Sequence, residues 1–475
     1  MKKYFIILLL LVFSISFSYA GNVDTFGIGS KATALGGAFS AYADDPFAAY
    51  YNPAGLVQMK SFTASAGVHI LNPNLKIYDY SATDGVGNNV SPYGQDFGDK
   101  SPTLIVPHIG FATPINDRIA FGLAAYVPYG LHVKWEDNPA QNAGAYNSYE
   151  SYYYRLVVSP TIAYKVNDKF SIGFGISVGR SESGVYRRIY NDATINTLNN
   201  LITTYSINCN SNPTNIYCQK LAVAQATNGK KIETDVTDSV NWSYNVGIMY
   251  KPMDQLTLGL TYRSRTHTKF KGETEIKGLD PITETTLNKA RVYTSVDVNF
   301  SVDHPEQIQL GIRYQPHKRV SIEADVVWTN WSIIDQYTAN FEDPLLSSTE
   351  KETFPRKWED TKQVRVGIEW MVTDLLTLRA GYFYDPSPIP DDTFDLVWPD
   401  ADKKVYSLGA GLNFGRLSID LVLQYIVAEY QRQIGGESEN LNDTYADDVT
   451  GNEGEVSMKA DGNLWGYGVT LNYKF

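Results

Sequence analysis

The residue types that could do covalent chemistry are present, but they are not arranged for it. The six histidines are scattered, and no zinc-protease, nucleophile-elbow or phosphate-loop pattern occurs. Gly27-Ile28-Gly29-Ser30-Lys31-Ala32 has the glycines of a dinucleotide turn, yet no strand precedes it and no βαβ unit surrounds it. His304 and His317 adjoin prolines, which suits structural roles at bends. Asp447-Asp448 and Glu453 to Glu455 lack the spacing of a calcium loop and read as a solvated loop. Cys209 and Cys218 without nearby histidines make a poor zinc site. In an oxidising compartment they are expected to close one small loop, two free thiols being the alternative. No catalysis, cofactor or metal is expected.

What the charged residues do show is a period of two. Val320, Ile322, Ala324, Val326 and Trp328 alternate with Ser321, Glu323, Asp325, Val327 and Thr329. Val364, Val366, Ile368 and Trp370 alternate with Arg365, Gly367 and Glu369. Such alternation is the mark of a strand with two different faces. Glu323, Asp325, Arg365, Glu369, Arg379 and Asp420 share the non-apolar face, where a dry soluble core would penalise them. Inside a wide barrel they can pair or meet water. A soluble β-sandwich with its polar face outward is the competing architecture.

The same pattern recurs in Phe170 to Val178, Trp242 to Tyr250, Leu256 to Tyr262 and Trp465 to Phe475, the last with aromatics at both ends of its apolar face. Connections alternate in length. Thr113 to Arg118, Val166 to Lys169, Lys251 to Gln255, Gln315 to Arg319, Met371 to Leu375 and Asn413 to Arg416 are short. Asn72 to Ser101, Ser183 to Ser239, Ile333 to Asp360 and Tyr430 to Gly462 are long and polar. Short turns on one side and long loops on the other suit an all-β transmembrane antiparallel barrel of about fourteen strands. Arg291 to Tyr314 reads as one long strand bulged at Pro305.

Export fits this architecture. Met1-Lys2-Lys3, an apolar run from Tyr4 to Phe17 and Ser18-Tyr19-Ala20 have the layout of a secretory signal peptide over residues 1–20. An uncleaved anchor is the alternative, but the run is shorter than the ~20 residues a spanning helix needs. The chain has 34 Tyr and 37 Gly in 475 residues and a net charge of −12, which argues against nucleic-acid binding. Gly21 to Lys60 lacks alternation and is rich in Gly and Ala, so it cannot be lipid-facing wall. It is read as a plug at 21–60 inside the lumen of a barrel at 61–475, a periplasmic tail being the alternative. A monomer is expected.

Several blocks carry a resemblance. Asn52-Pro53-Ala54-Gly55 makes a turn after the exported N-terminus, because Pro fixes its own φ and restricts the residue before it. Val127-Pro128-Tyr129-Gly130-Leu131, Trp328-Thr329-Asn330-Trp331-Ser332 and Gly381-Tyr382-Phe383-Tyr384-Asp385-Pro386 follow in order, then Pro399-Asp400-Ala401-Asp402 and Ser407-Leu408-Gly409. Together these resemble the FadL/OmpP1/TodX family of outer-membrane transporters for hydrophobic compounds. The resemblance implies a fourteen-stranded barrel with an N-terminal hatch. It implies capture of a hydrophobic molecule, most readily a long-chain fatty acid, by the outer loops, then binding in an apolar lumen pocket. A hatch shift would release the ligand sideways through the wall. By carry-over, Asn52, Pro53, Ala54, Gly55 and Asp385 belong to the hatch and gate, and Pro128 and Gly130 to a kink beside the lateral opening. Arg180, Arg187, Arg365 and Arg379 are candidates for a ligand carboxylate, pairing with Glu323, Glu369 or Asp420 being their alternative. Uptake of aromatic hydrocarbons, or an adhesin or structural role, stands as the rival reading. Outer-membrane lipid, lipopolysaccharide and the barrel-assembly machinery are the other implied partners.

Overall fold

The computed structural model describes residues 27–289, 293–343 and 350–475. The expected signal peptide and residues 21–26 of the expected plug lie outside these. Among the described residues, twenty antiparallel strands form one sheet. In chain order they are β1 (Thr63–Thr83), β2 (Gln95–Gly98), β3 (Leu104–Pro114), β4 (Ile119–Lys134), β5 (Glu150–Asn167), β6 (Phe170–Arg188) and β7 (Lys231–Met253). Then come β8 (Leu256–Arg263), β9 (Phe270–Lys277), β10 (Ser295–Phe300), β11 (Gln307–His317), β12 (Val320–Thr329), β13 (Gln336–Phe341) and β14 (Lys351–Pro355). The last are β15 (Thr361–Met371), β16 (Leu376–Asp385), β17 (Lys403–Phe414), β18 (Leu417–Ala428), β19 (Arg432–Gly435) and β20 (Glu455–Lys474).

Fourteen of them close into a barrel, with β20 returning to pair with β1 from Thr63↔Lys474 to Thr83↔Glu455. Strands β2, β9, β10, β13, β14 and β19 are short and stand on the long-loop side. The alternation does what the sequence predicts. Trp242, Tyr244, Val246 and Tyr250 of β7 point outward and are exposed, while Asn241, Ser243 and Asn245 point inward and are buried. Trp465, Tyr467, Leu471 and Tyr473 of β20 are likewise exposed. A face this apolar fits lipid, and the ladder that returns from β20 to β1 leaves the sheet without a free edge strand.

Two expectations need correction. The wall rises further than the apolar alternation predicts. Strand β1 runs on to Thr83 and β6 to Arg188, while β7 starts at Lys231 and β20 at Glu455, all within stretches expected to be loops. Above the membrane the outer face meets water, so polar residues occupy both faces and the period-2 signal vanishes while the ladder continues. Arg291 to Tyr314 is also not one bulged strand (Arg291 itself lies outside the described residues). Strand β10 pairs with β9 and β13, whereas β11 pairs with β8 and β12. Pro305 falls in the break between them, where a residue without an N–H ends a ladder rather than bending it.

Between β6 and β7 two helices, Asp192–Thr204 and Ile216–Thr227, form a hairpin on the outer side, and Cys209 and Cys218 are joined by a disulfide within it. Among the described residues, the two largest of four buried apolar clusters fill most of the interior. One is built from residues 28–59 against β3, β4 and β5, and the other lies among the upper strands and outer loops.

Candidate functional site

The N-terminal segment lies inside the barrel. It holds a short helix at Ser30–Ala34, another at Ala48–Tyr51 and a 3-10 helix at Pro53–Gln58. The sequence supplies room for it through glycines on the inward face of the strands. Gly173 of β6 and Gly247 of β7 face each other across the ladder. A Cβ built on Gly173 would lie 2.3 Å from the Pro53 carbonyl carbon, and one on Gly247 would lie 2.1 Å from Asn52 Oδ1. Gly259 stands equally close to Ser40, and Gly381 to Leu35 and Gly36. A side chain at these positions would occupy the space the plug now fills.

Asn52 fixes the turn. Its Nδ2 donates to Ser40 O at 2.7 Å and to Ile248 O of β7 at 3.0 Å, and its Oδ1 accepts from Ala54 N at 3.1 Å. The last bond caps the 3-10 helix, and Pro53 suits its first position. Wall carboxylates hold the rest of the plug. Glu323 Oε1 accepts from Ala41 N at 2.7 Å, and Asp325 Oδ2 from Ser40 N at 3.2 Å. Tyr42 OH donates to Glu369 at 2.7 Å.

The four candidate arginines have separate fates. Arg180 points outward beside Val178 and pairs with Glu182 at 2.6 Å, so it is not a lumen group; parity with Val178 already placed it on the lipid face. Arg187 lines a cavity among the outer strands. Arg379 is buried between Glu369 and Asp420, both at 2.7 Å, which is the pairing alternative. Arg365 is buried against the plug, where a Cβ on Gly37 would lie 2.3 Å from its Nη1. Its guanidinium also lies 5.1 Å from the Phe383 ring and donates to Gln363 Oε1.

That Gln363 leads to Asp385. Gln363 Nε2 donates to Asp385 Oδ1 at 2.7 Å, and Lys403 Nζ lies 3.5 Å from Asp385 and 2.6 Å from Asp400. A polar chain thus runs from Gly37 of the plug through Arg365, Gln363 and Asp385 to Lys403. Its far end opens on two small cavities of about 60 and 30 Å³. One has aliphatic walls that include Leu75, Leu131 and Ile426; the other has Trp331, Trp358 and Trp398 around it. The three Trp side chains also border His304, whose ring packs on Tyr129 and Tyr153. Lys403 and Gln363 were not singled out from the sequence. The parity of Lys403 with Val405 and Ser407, both buried, was the available signal.

Beside these cavities the wall is incomplete. Strands β3 and β4 pair only from Pro114↔Ala120 to Ile109↔Ala125. Above that rung β4 continues along β5 alone, with a register shift between Tyr126 and Tyr129 that spans Val127 and Pro128. The gap ends where the segment before β3 meets the end of β4: Lys100 N donates to Lys134 O at 2.6 Å and Lys134 N to Ser101 Oγ at 3.0 Å. Residues 124–131 of β4 are all buried, so the strand has left the lipid face and leans into the lumen. Gly130 lies in this stretch. Leu104, Val106 and Val127 border the gap and belong to one apolar cluster with Phe383, Val405 and Ile426.

A closed antiparallel wall with a lipid-compatible exterior, filled by its own N-terminal segment, defines a plugged outer-membrane barrel. The chain belongs to the outer membrane transport protein family OMPP1/FadL/TodX, which it matches over residues 9–475. It is 25% identical over 467 residues to the long-chain fatty acid transport protein of Escherichia coli K12, covering 94% of this chain and 93% of that one. It is 25% identical over 472 residues to outer membrane protein P1 of Haemophilus influenzae, covering 96% of each. Its fold matches the crystal structure of a Pseudomonas aeruginosa FadL homologue with a TM-score of 0.75, 22% identity and coverage of 97% of this chain and 100% of that one. The toluene transporter TodX of P. putida gives a TM-score of 0.64 at 15% identity, over 95% of this chain and 99% of that one. The protein is a multi-pass β-barrel of the Gram-negative outer membrane and a passive transporter of hydrophobic molecules, not an enzyme.

Proposed function

We propose that the preferred cargo is a compact, uncharged hydrophobe of the monoaromatic class. The observation that carries this is the state of Lys403. Lys403, the buried ammonium group that lines both cavities, already has Asp385 and Asp400 as partners; Lys76, which also lines the first, is exposed. A cargo carboxylate would have to displace one of them. The cavities are narrow, and three Trp side chains offer ring faces for stacking. Toluene transporters of the same fold are consistent with this reading.

Long-chain fatty acid is the second reading, favoured by the relatives of that name and by the presence of a lysine at all. On either reading, cargo enters from the outer loops, rests in the cavities above the plug, and leaves through the gap between β3 and β4 into the membrane. Asn52 to Gly55 and Asp385 serve the gate, and Pro128 and Gly130 keep β4 from closing the gap. An apolar molecule gains about 25 cal/mol per Å² on leaving water, and a sideways exit never returns it there.

The test is uptake of labelled toluene and labelled palmitate by cells lacking their own hydrophobe transporter, with the native protein and with Lys403→Met. Toluene uptake that rises with the protein and persists in Lys403→Met supports the first reading. Palmitate uptake that depends on Lys403, with no toluene uptake, replaces it with the second. No uptake of either refutes both.

A further inference from the structure

A further and larger cavity, of about 590 Å³, lies on the outer side among β6, β7, β10, β13, β14 and the loop after β19. Its two walls differ in chemistry. One is aromatic, with Phe300, Tyr337, Phe341 and Phe354 lining it. The Phe300 and Tyr337 ring centroids are 5.2 Å apart, and those of Tyr337 and Phe354 are 5.0 Å apart. The other carries Asp443, at the end of the helix Glu439–Asp443, and Asp448 beyond it, while Glu352 sits on β14 two residues before Phe354, on the same strand face as the rings.

Among the described residues none of these three carboxylates has a hydrogen-bonded or salt-bridged side-chain partner. Burial raises Glu352 above the ordinary carboxylate range; Arg187 pulls the other way, and Asp443 and Asp448 add to the rise. Burial raises Asp448 too, with Asp443 and Asp447 adding to it. Arg187 and Lys351 are the cations on the cavity lining besides Arg356, which is occupied by Asp395 at 2.5 Å. The lining, with Glu352, Asp395, Asp443 and Asp448 against Arg187, Lys351 and Arg356, therefore keeps a surplus of one carboxylate beside a bank of ring faces.

We propose that this outer cavity binds an organic cation that carries an apolar ring or chain. Carboxylates supply Coulomb attraction, and ring faces attract the same charge through their quadrupoles, most strongly where water is thinned out. The apolar part of the ligand lies along Phe300 and Phe354. The site repels anionic amphiphiles and is distinct from the cavities beside Lys403, so it stands or falls independently of the lumen reading.

The experiment uses the full-length protein in a non-ionic detergent, titrated with benzyltrimethylammonium and followed by calorimetry. Saturable binding is expected, with benzenesulfonate failing to compete. Glu352→Gln together with Asp448→Asn is expected to weaken it by about a hundredfold, taking about tenfold per removed charge as a screened Coulomb interaction. Phe354→Leu is expected to weaken it by about fivefold, the scale of one cation–π contact. Heat-resistant gel mobility and the β-sheet circular dichroism signal establish that each variant is folded. No saturable binding, equal binding of benzenesulfonate, or full affinity in folded Glu352→Gln/Asp448→Asn overturns the proposal. Toluene uptake is unaffected by any of these outcomes.

Discussion

Adding one methyl group at Gly247 should unseat the plug. A Cβ there falls 2.1 Å from Asn52 Oδ1 and 2.7 Å from Pro53 Cδ. Carbon and its neighbours rest at about 3.5 Å, so the turn must retreat by roughly 1.4 Å. The hydrogen bonds from Asn52 to Ser40 O and Ile248 O begin at 2.7 and 3.0 Å and cannot survive that retreat. Each orphaned buried group costs about 1–3 kcal/mol, so about 3 kcal/mol is a conservative loss. That shifts the ratio of seated to unseated plug by roughly 150-fold. Single-channel conductance in a planar bilayer reads this directly. Gly247→Ala should show long open events that the native barrel lacks, and Gly98→Ala should not, because the nearest atom to its Cβ is 3.7 Å away. Native conductance in folded Gly247→Ala would refute the claim that the wall glycines exist to admit the plug.

Other consequences follow from the same contacts. Pro128→Val restores an N–H to β4 where it parts from β3, and should lower the initial rate of hydrophobe uptake severalfold with the barrel intact; an unchanged rate removes Pro128 from the exit. Asp395→Ala strands Arg356, whose partners are Asp395 Oδ2 at 2.5 Å and Tyr337 OH at 3.2 Å. Breaking such a buried pair should cost about 3–5 kcal/mol, measured as a lower urea midpoint for loss of the outer-loop fluorescence signal. Burial works against the Arg356 charge, but Asp395 beside it outweighs that and raises its pKa. Cys209→Ser should loosen only the outer helical hairpin, by about 3 kcal/mol for so short a loop, seen as new protease cleavage there with uptake unchanged.

How far the sequence could be read depended on what each face touches. Where the outer face meets lipid, as in Trp242 to Tyr250, apolar and polar residues must alternate, and strand and orientation are both legible. Arg180 obeys the same rule: its parity with Val178 sets its direction outward whatever its chemistry suggests. Above the membrane both faces are wet, so the upper parts of β1, β6, β7 and β20 left no periodic trace. Asp385 was found through a resemblance, but its partners Gln363 and Lys403 come from the starts of two other strands and meet only in three dimensions. The lumen glycines were visible as the small side of an alternation. That they form a shelf for Asn52 and Pro53 follows only from where residues 40–54 lie, which no local pattern encodes.

The seam between β1 and β20 orders events in time. The plug precedes β1 directly, and the wall around it is complete only when residues 455–474 lie along residues 63–83. With Gly173, Gly247, Gly259 and Gly381 in close contact on several sides, the folded plug has no axial clearance through the finished ring. It must be gathered in while the sheet is still an open trough, and the final strand then locks it in. The segment upstream of every strand has to wait longest for its container, and the barrel is built around its cork.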